Sequence, residues 1–306
     1  MNFSSMTYFT VLAQERNFTR AAERLHITQQ SLSSHIAGLE KELGCRLVVR
    51  HVPLELTYAG EVMLRYATDF QKRQTAMQRE FCDISQNQKG VLRVGAAATR
   101  GQAVLPETIA RFQRSYPNIT VELTEGSNDA LHQKLLEGTI DLAVADFPDA
   151  LPGVELRDFY DEEIVLLTER GFFAAVYGDG AAACEKRLRA GDLSPLASCP
   201  LVLGGVEDVD GRVGRAALER AGIEQPIVRA TSHNVGTLLT LCVRGVGACF
   251  CPENLMRLML TEQQRRALLL FRLGGGARYS IRFGYHAQSY RWSVIEAFIA
   301  CAVRNQ

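Results

Sequence analysis

Hydrophobic positions recur at helical spacing in the N-terminal part of the chain. They predict a first helix over Ser4–Glu15 and a second that begins after Phe18, with Thr19 as its N-cap. A third helix is predicted over about Thr28–Leu43, with Gly44 at its end. The inward positions of the three helices lie mostly three or four residues apart: Met6, Phe9, Leu12, Ala13; Ala21, Ala22, Leu25; Leu32, Ile36, Leu39, Leu43. Such stripes bury one face of each helix, so the pattern predicts a small helical unit.

Two short extended segments and a long helix follow. Arg46–Arg50 and Leu54–Thr57 flank Pro53 and predict a small β-hairpin, or wing. Thr57 is the predicted N-cap of a helix that continues to about Gln88. Its seam positions alternate four and three apart: Met63, Ala67, Phe70, Gln74, Met77, Phe81, Ile84. A seam this narrow suits a single partner helix, so we expect an intermolecular coiled coil; the alternative is a helix lying on a globular core.

From Gly90 onward, short apolar strands alternate with amphipathic helices. The first run has strands at 91–95, 119–123 and 140–145, and helices at 106–116 and 129–136. The second run has strands at 164–168, 201–203, 227–231 and 246–251, and helices at 213–221 and 235–243. A strand at 280–285 and a helix at 290–303 close the chain, whereas 171–198 shows no clear pattern. This order predicts an α/β fold, doubly wound, with a parallel sheet and helices on its faces.

Composition narrows the function classes. Lys+Arg and Asp+Glu both total 34 among 306 residues, so net charge argues neither for nor against nucleic acid. The eight cysteines are scattered without zinc spacing, so no metal site and no cofactor are expected. No signal peptide or membrane-spanning run is apparent, so we expect a cytoplasmic protein. Nucleophile-elbow, zinc-protease and phosphate-loop motifs are lacking, so we expect no enzymatic activity.

The second and third helices, joined by His26-Ile27-Thr28, form a predicted helix-turn-helix. With its apolar stripe buried, the third helix exposes polar and small residues suited to base edges: Gln29, Gln30, Ser33, Ser34, Ala37. Glutamine bonds to adenine, serine to several bases or phosphate, and alanine contacts a thymine methyl. Six basic and five acidic residues precede Tyr58, so phosphate attraction is weak overall. The alternative is a protein-interaction bundle with a solvated polar face.

The stretch FTRAAERLHITQQSLSSHIAGLEKELGCRLVVRHVPLELTYAGE closely resembles the N-terminal domain of LysR-type transcriptional regulators. The resemblance implies a winged helix-turn-helix at residues 1–58, a dimerisation helix at 59–89 and an effector-binding module at 90–306, similar to periplasmic solute-binding proteins. It divides the module into subdomain 1, residues 90–161 and 269–306, and subdomain 2, residues 162–268, with hinges near Asp161 and Leu268–Phe271. Gln30 replaces a common proline, and Ser34 and Ala37 are uncharged where the family often carries a basic residue.

The resemblance also implies a homodimer or homotetramer on double-stranded DNA at an inverted repeat, with RNA polymerase as a further candidate partner. The predicted DNA-contacting residues lie on the helix-turn-helix and the wing: Arg20, Thr28, Gln29, Gln30, Ser33, Ser34, Arg50. A thiol-based redox switch at Cys199 is the alternative to a small-molecule effector, although no resolving cysteine is evident.

Open α/β sheets bind ligands beyond the carboxyl ends of their strands. The residues that follow those ends are the predicted effector-binding set: Thr99, Arg100, Ser127, Asn128, Gly204, His233, Asn234. Free N–H groups at helix starts favour an anion, so we expect a carboxylate effector. Three alternatives stay open: Ser127, Asn128 and Asn234 as plain N-caps, Arg100 paired with Asp146 or pointing to solvent, and His233 as a packed polar residue. Closure about the hinges would reposition the DNA-binding domains.

Overall fold

The chain divides into two units, Met1–Asn87 and Gln88–Gln306. The computed structural model describes residues 3–50, 54–85, 88–274, 277–287 and 290–304. Within the described residues, the N-terminal unit contains four helices and one hairpin: α1 Phe3–Glu15, α2 Phe18–Arg24, α3 Gln29–Leu43, β1 Val48–Val49, β2 Glu55–Leu56 and α4 Tyr58–Ile84. The two strands pair antiparallel, which confirms the predicted wing, although Pro53 lies outside the described residues.

Helix ends in this unit follow from local side chains. Thr28 caps α3 by accepting a hydrogen bond from Ser31 N, and Gly44 ends it at φ 68°, as predicted. The prediction that Thr19 caps α2 was wrong. Asn17 is the cap, because its Oδ1 accepts hydrogen bonds from the backbone N–H groups of Thr19 and Arg20, at 2.9 and 3.1 Å. Asparagine and threonine are both good caps, so spacing alone could not choose between them.

The predicted apolar stripes form the core of the N-terminal unit. Phe9, Leu12, Leu32 and Ile36 are fully buried there. Leu43, predicted to face inward, is 41% exposed because α3 ends at that turn. The core therefore fixes which face of α3 remains in solvent.

The long helix α4 changes environment along its length. Met63 and Ala67, near its start, are buried against the N-terminal core. The seam positions further along are exposed: Phe70 42%, Met77 48%, Phe81 63% and Ile84 71%. An apolar seam in water is unfavourable, so this surface is suited to a partner helix.

Gly60, in the first turn of α4, is a site of close backbone approach. A Cβ atom there would lie 2.1 Å from the carbonyl oxygen of Leu47. We expect Gly60→Ala to lower the free energy of unfolding of this unit by about 2 kcal/mol, because the backbone must shift to make room. Urea unfolding followed by far-UV circular dichroism measures the change.

Gly38→Ala, in α3, is the matched control. Nothing in the described part of the chain lies within 4 Å of the added methyl. Alanine is the better helix former, so this variant should gain about 0.5–1 kcal/mol. Equal effects of the two substitutions would contradict the close approach at Gly60.

The C-terminal unit is built on a mixed β-sheet. Its strands are β3 Gly90–Ala96, β4 Ile119–Glu125, β5 Leu142–Asp146, β6 Val154–Glu169, β7 Leu201–Leu203, β8 Val228–Thr231, β9 Ala248–Pro252, β10 Leu268–Arg272 and β11 Arg278–His286. The strand order is β4-β3-β5-β11-β6-β9-β7-β8, with β10 also paired to β6. Pairs β3–β4, β3–β5, β7–β8 and β7–β9 are parallel, as predicted. Strands β6 and β11 are antiparallel to their partners, which the sequence did not indicate.

Helices cover both halves of this sheet. They are α5 Ala98–Ala103, α6 Leu105–Ser115, α7 Asn128–Glu137, α8 Arg170–Tyr177, α9 Ala181–Arg189, α10 Val209–Arg220, α11 Val235–Val243, α12 Glu253–Met259, α13 Glu262–Arg266 and α14 Ser293–Val303. Short 3-10 turns occupy Gly178–Gly180 and Ser194–Ser198. The segment without a clear pattern thus holds α8 and α9, and the doubly wound α/β prediction is confirmed.

Strand β6 is the long crossing element between the two halves. Its first part pairs with β11, and its last part pairs with β9 and β10. The predicted strand at 164–168 covers only the last part of β6. In the first part of β6, charged residues stand among the apolar ones, so the apolar pattern of a strand is not apparent there. Leu268–Phe271, the predicted second hinge, lies inside β10 and is paired with β6 along its length. The subdomain boundaries stay predictions.

In the described part of the chain, no helix combines the length and apolar composition that crossing a membrane requires.

Candidate nucleic-acid interface and effector cleft

The exposed face of α3 is the candidate nucleic-acid interface. Burial of Leu32, Ile36 and Leu39 turns the opposite side of the helix to solvent. Thr28, Gln29, Gln30 and Ser34 are exposed on it, and Ser33 is half-buried. Side chains on one helix face at these offsets can reach successive base edges in a major groove. The structure therefore brings the predicted base-reading residues together.

Hydrogen bonds order part of this face. Gln29 Oε1 accepts from the Thr19 hydroxyl at 3.5 Å, which links α3 to α2. Ser33 Oγ accepts from Arg50 Nη1 at 3.3 Å, and the Arg50 guanidinium lies 5.4 Å from the centre of the Phe18 ring. The wing arginine is thus held beside α3, where it is suited to contact phosphate.

Two arginines of α2 are paired within the domain. Arg20 Nη2 and Arg24 Nη1 both bind the carboxylate of Glu15, at 3.0 and 2.9 Å. Both cations are more than half exposed, so the pairs add little stability and leave the guanidinium edges accessible. The shared carboxylate reduces the positive potential of this surface, as the near-equal numbers of acidic and basic residues predicted.

A cleft of about 660 Å³ lies in the C-terminal unit, at the carboxyl ends of the parallel strands. Six of the seven predicted effector-binding residues line it: Thr99, Arg100, Ser127, Asn128, His233, Asn234. Gly204 is buried instead against the Asp210 carboxylate. The packing is so close that a Cβ at Gly204 would lie 2.3 Å from Asp210 Oδ2. Thr99 and Arg100 belong to α5, a short helix where the sequence predicted a loop.

Helix caps occupy part of the cleft wall. Ser127 Oγ accepts from Ala130 N at 3.3 Å, and Asn234 Oδ1 accepts from Thr237 N at 3.1 Å. Asn234 Oδ1 also accepts from the Thr99 hydroxyl at 3.5 Å, which joins the two sides of the cleft. Ser127 and Asn234 therefore act as N-caps, whereas Asn128 is the first residue of α7 and leaves its own Oδ1 buried without a partner in the described chain.

Arg100 is committed to a buried ion pair at the base of the cleft. Its Nη2 lies 2.8 Å from Glu162 Oε2, and its Nε donates to Tyr160 Oη at 3.1 Å. The Tyr279 hydroxyl donates a hydrogen bond to the same Glu162 oxygen. Burial alone would lower the pKa of Arg100, but Glu162, Tyr160 and Tyr279 together outweigh burial and raise that pKa above its usual range, so the guanidinium stays charged. Burial also raises the pKa of Tyr160 to about 12.

The predicted alternatives for Arg100, a pair with Asp146 or a solvent-facing side chain, were both wrong. Asp146 lies instead 3.7 Å from Arg212 Nη2. Glu162 was missed because it sits on the part of β6 that the sequence did not reveal as a strand.

Acidic side chains that the sequence pattern did not predict are further functional candidates. Glu207, Asp208 and Asp210 follow β7 and line the cleft. Asp208 Oδ2 lies 2.8 Å from His233 Nδ1, so His233 is an ion-pair or hydrogen-bond partner of this group. Asp210 is 5% exposed, and burial, with the charge of Asp208, raises its pKa to about 6. The sequence feature that could have revealed these residues is the presence of three acids within VEDVD, after the end of a strand.

The cysteine considered for redox sensing lies in an environment that disfavours thiol oxidation. Cys199 is fully buried, and burial raises the pKa of its thiol to about 11. Cys242, Cys249 and Cys251 are likewise buried, and each has a raised pKa. Thiol oxidation needs an accessible thiolate, which these environments disfavour.

A helix-turn-helix with an exposed polar face and a separate α/β unit with a polar cleft indicate a DNA-binding regulator. The family model described as "Bacterial regulatory helix-turn-helix protein, lysR family" matches residues 3–61, and "LysR substrate binding domain" matches residues 85–306. The chain therefore belongs to the LysR family of bacterial transcriptional regulators.

Individual relatives agree with this assignment. A probable RuBisCO transcriptional regulator of Thalassiosira pseudonana is 34% identical over 170 residues, and the matched stretch spans about half of each protein, 53% of this chain and 54% of the relative. The regulator IlvY of Escherichia coli K12 is 25% identical over 302 residues, 97% of both chains. Full-length CbnR, solved in complex with its target DNA, has TM-score 0.62 at 23% identity over 100% of both chains. This likeness to CbnR concerns the fold.

Proposed function

We propose that this chain binds an inverted-repeat operator as a homodimer or homotetramer and that a small molecule in the cleft switches its action on transcription. The observation that carries the DNA-binding part is the exposed polar face of α3, with Arg50 held beside it by Ser33. The proposed DNA contacts are Arg20, Thr28, Gln29, Gln30, Ser33, Ser34 and Arg50. RNA polymerase remains a candidate partner.

The exposed seam of α4 supports the paired state. Phe70, Met77, Phe81 and Ile84 would be covered by the same helix of a second copy, with Gln74 as the polar position that fixes register. Two copies would present two α3 helices to two half-sites, which is the geometry that an inverted repeat requires.

The cleft supports the small-molecule part of the proposal. Its walls include the first turns of α7 and α11, whose backbone N–H groups favour a carboxylate. Thr99, Ser127, Asn128, His233 and Asn234 are the proposed ligand contacts, with Gly204 behind them. Arg100, bound to Glu162, would position the cleft wall instead of binding the ligand directly. A ligand that prefers one arrangement of the two sheet halves would shift the equilibrium between them.

The test is selection of bound sequences from random duplex DNA by the full-length protein. We expect an inverted repeat, and we expect Gln29→Ala and Ser33→Ala each to weaken binding to the selected site by about 10- to 100-fold, because a base contact contributes roughly 1–3 kcal/mol. Gln263→Ala, an exposed glutamine on α13, is the matched control and should bind like the wild type. An unchanged site preference in Gln29→Ala and Ser33→Ala would refute this role for α3.

A further inference from the structure

The cleft of the C-terminal unit is richer in acidic than in basic side chains. Its basic side chains, Arg100 and His233, are already bonded to Glu162 and Asp208. Near its edge, Arg212 lies 3.7 Å from Asp146. The carboxylates along the lining are those of Asp129, Asp146, Glu207, Asp208 and Asp210. A concave surface with this excess of negative charge attracts cations and repels purely anionic ligands.

Asp210 is the observation that distinguishes a ligand site from a solvated acidic surface. Its side chain is 5% exposed, lines the cleft, and has an Oδ2 atom that accepts no hydrogen bond from the described residues. The backbone N–H groups of Asp210 and Gly211 bond to the carboxylate and Arg215 adds opposite charge, but burial and the like charge of Asp208 outweigh them. A buried carboxylate oxygen without a donor is unfavourable, and a bound cation with N–H groups would offset that penalty.

Asn128 provides a second acceptor on the other side of the cleft. Its Oδ1 is buried and is likewise without a hydrogen-bond partner among the described residues. An amide oxygen accepts hydrogen bonds and cannot donate them. The two unpartnered acceptors belong to residues that line one cavity, so a ligand with several N–H donors suits this cavity better than a ligand without them.

The donor set also indicates which kind of cation would bind. Among the described residues, no three His, Cys, Asp or Glu side chains are grouped closely enough to hold a metal ion. An organic cation does not need three ligands grouped around one point, since each of its N–H groups can reach a separate acceptor.

We propose that the effector is an amine-bearing metabolite whose ammonium or guanidinium group is bound by Asp210, with Asp146 and Asp208 as its acidic neighbours. This inference rests on the proposed function only in taking the cleft as the effector site. A carboxylate on the same molecule would bind at the first turns of α7 and α11, so a diamino acid satisfies both ends of the cleft.

The experiment is isothermal titration calorimetry of the full-length protein, without DNA, using probes of similar length and different charge. They are 1,4-diaminobutane, L-ornithine and succinate. We expect one of the two amines to bind once per chain and succinate to show no binding at the same concentration. Binding of succinate alone, or no binding of either amine up to about 10 mM, a concentration that detects even millimolar affinity, would overturn the proposal.

Substitutions of Asp210 and Asp208 test whether the amine binds at these carboxylates. Asp210→Asn keeps the shape and removes the charge, and it should weaken amine binding by about tenfold or more. Asp208→Asn should weaken it less, since Asp208 is already engaged with His233. Asp179→Asn, on an exposed turn, is the matched control and should bind like the wild type. Far-UV circular dichroism and thermal melting establish that each variant is folded, and equal affinity in folded Asp210→Asn would overturn the proposal.

The experiments can refute either of the two proposals without refuting the other. Amine binding without recovery of any DNA site would leave this inference standing and refute the regulator proposed above. Recovery of an operator by a protein that binds neither amine would refute only the ligand class.

Discussion

Replacing Arg100 with methionine is expected to lower the free energy of unfolding of the C-terminal unit by about 3–5 kcal/mol. The substitution leaves Glu162, which is 2% exposed, as a buried carboxylate without its cation. Tyr279 would still donate to its Oε2, while its Oε1 already has no partner among the described residues. Urea unfolding followed by fluorescence of Trp292, the one tryptophan of the chain, reports directly on this unit.

Two variants separate the loss of the pair from the loss of the arginine. Arg111→Met removes a half-buried arginine whose Nη2 lies 3.6 Å from Glu107 Oε1, and it should change stability by less than about 1 kcal/mol. The double variant Arg100→Met/Glu162→Met removes both buried charges, so it should recover much of the lost stability. A loss in Arg111→Met as large as in Arg100→Met would contradict this account.

Asp210→Asn is expected to raise the free energy of unfolding at pH 7.5 by about 2 kcal/mol. The pKa of Asp210 in the folded chain is about 6, raised first by burial and then by Asp208, whereas its ordinary value is 3.8. Folding therefore favours the protonated acid, and stability falls as pH rises from about 4, where the unfolded chain loses its proton, to 6. The asparagine carries no such penalty, so its advantage is complete above pH 6.

The pH dependence is the decisive readout for this second prediction. Below about pH 4 the acid is protonated in both states, so wild type and variant should unfold at the same urea concentration. Asp179→Asn, on the exposed turn, should match the wild type at both pH values. A variant that is less stable at pH 7.5, or equally shifted at both pH values, would show that the charge of Asp210 is not the cause.

The N-terminal unit was largely predictable because its information is local. Apolar spacing located α1 to α4, and Thr28, Gly44 and Thr57 marked helix ends by their side-chain chemistry. The error at Asn17 arose where two cap-forming residues stand two positions apart. Sequence spacing resolves faces of helices well, and their first residues less well.

The position of the cleft was predictable from the sequence, but the partners and charge states of its side chains were not. Strand ends located six of its lining residues, since the topology of a parallel sheet gathers them at one edge. The partner of Arg100 was not predictable, because Glu162 sits on β6, whose charged first part is held as a strand by β11, more than a hundred residues later in the chain. The charge state of Asp210 depends on burial, which sequence alone does not report.

The placement of the α4 seam in the same unit as α3 has a genetic consequence. An allele truncated after Asn87 would still encode the proposed DNA-reading helix and the proposed pairing surface, and it would lack the entire unit proposed to respond to a ligand. In a cell that also makes the full-length chain, such a fragment is expected to enter mixed dimers. These would occupy operators and respond poorly to the effector, so the truncated allele should behave as a dominant-negative one.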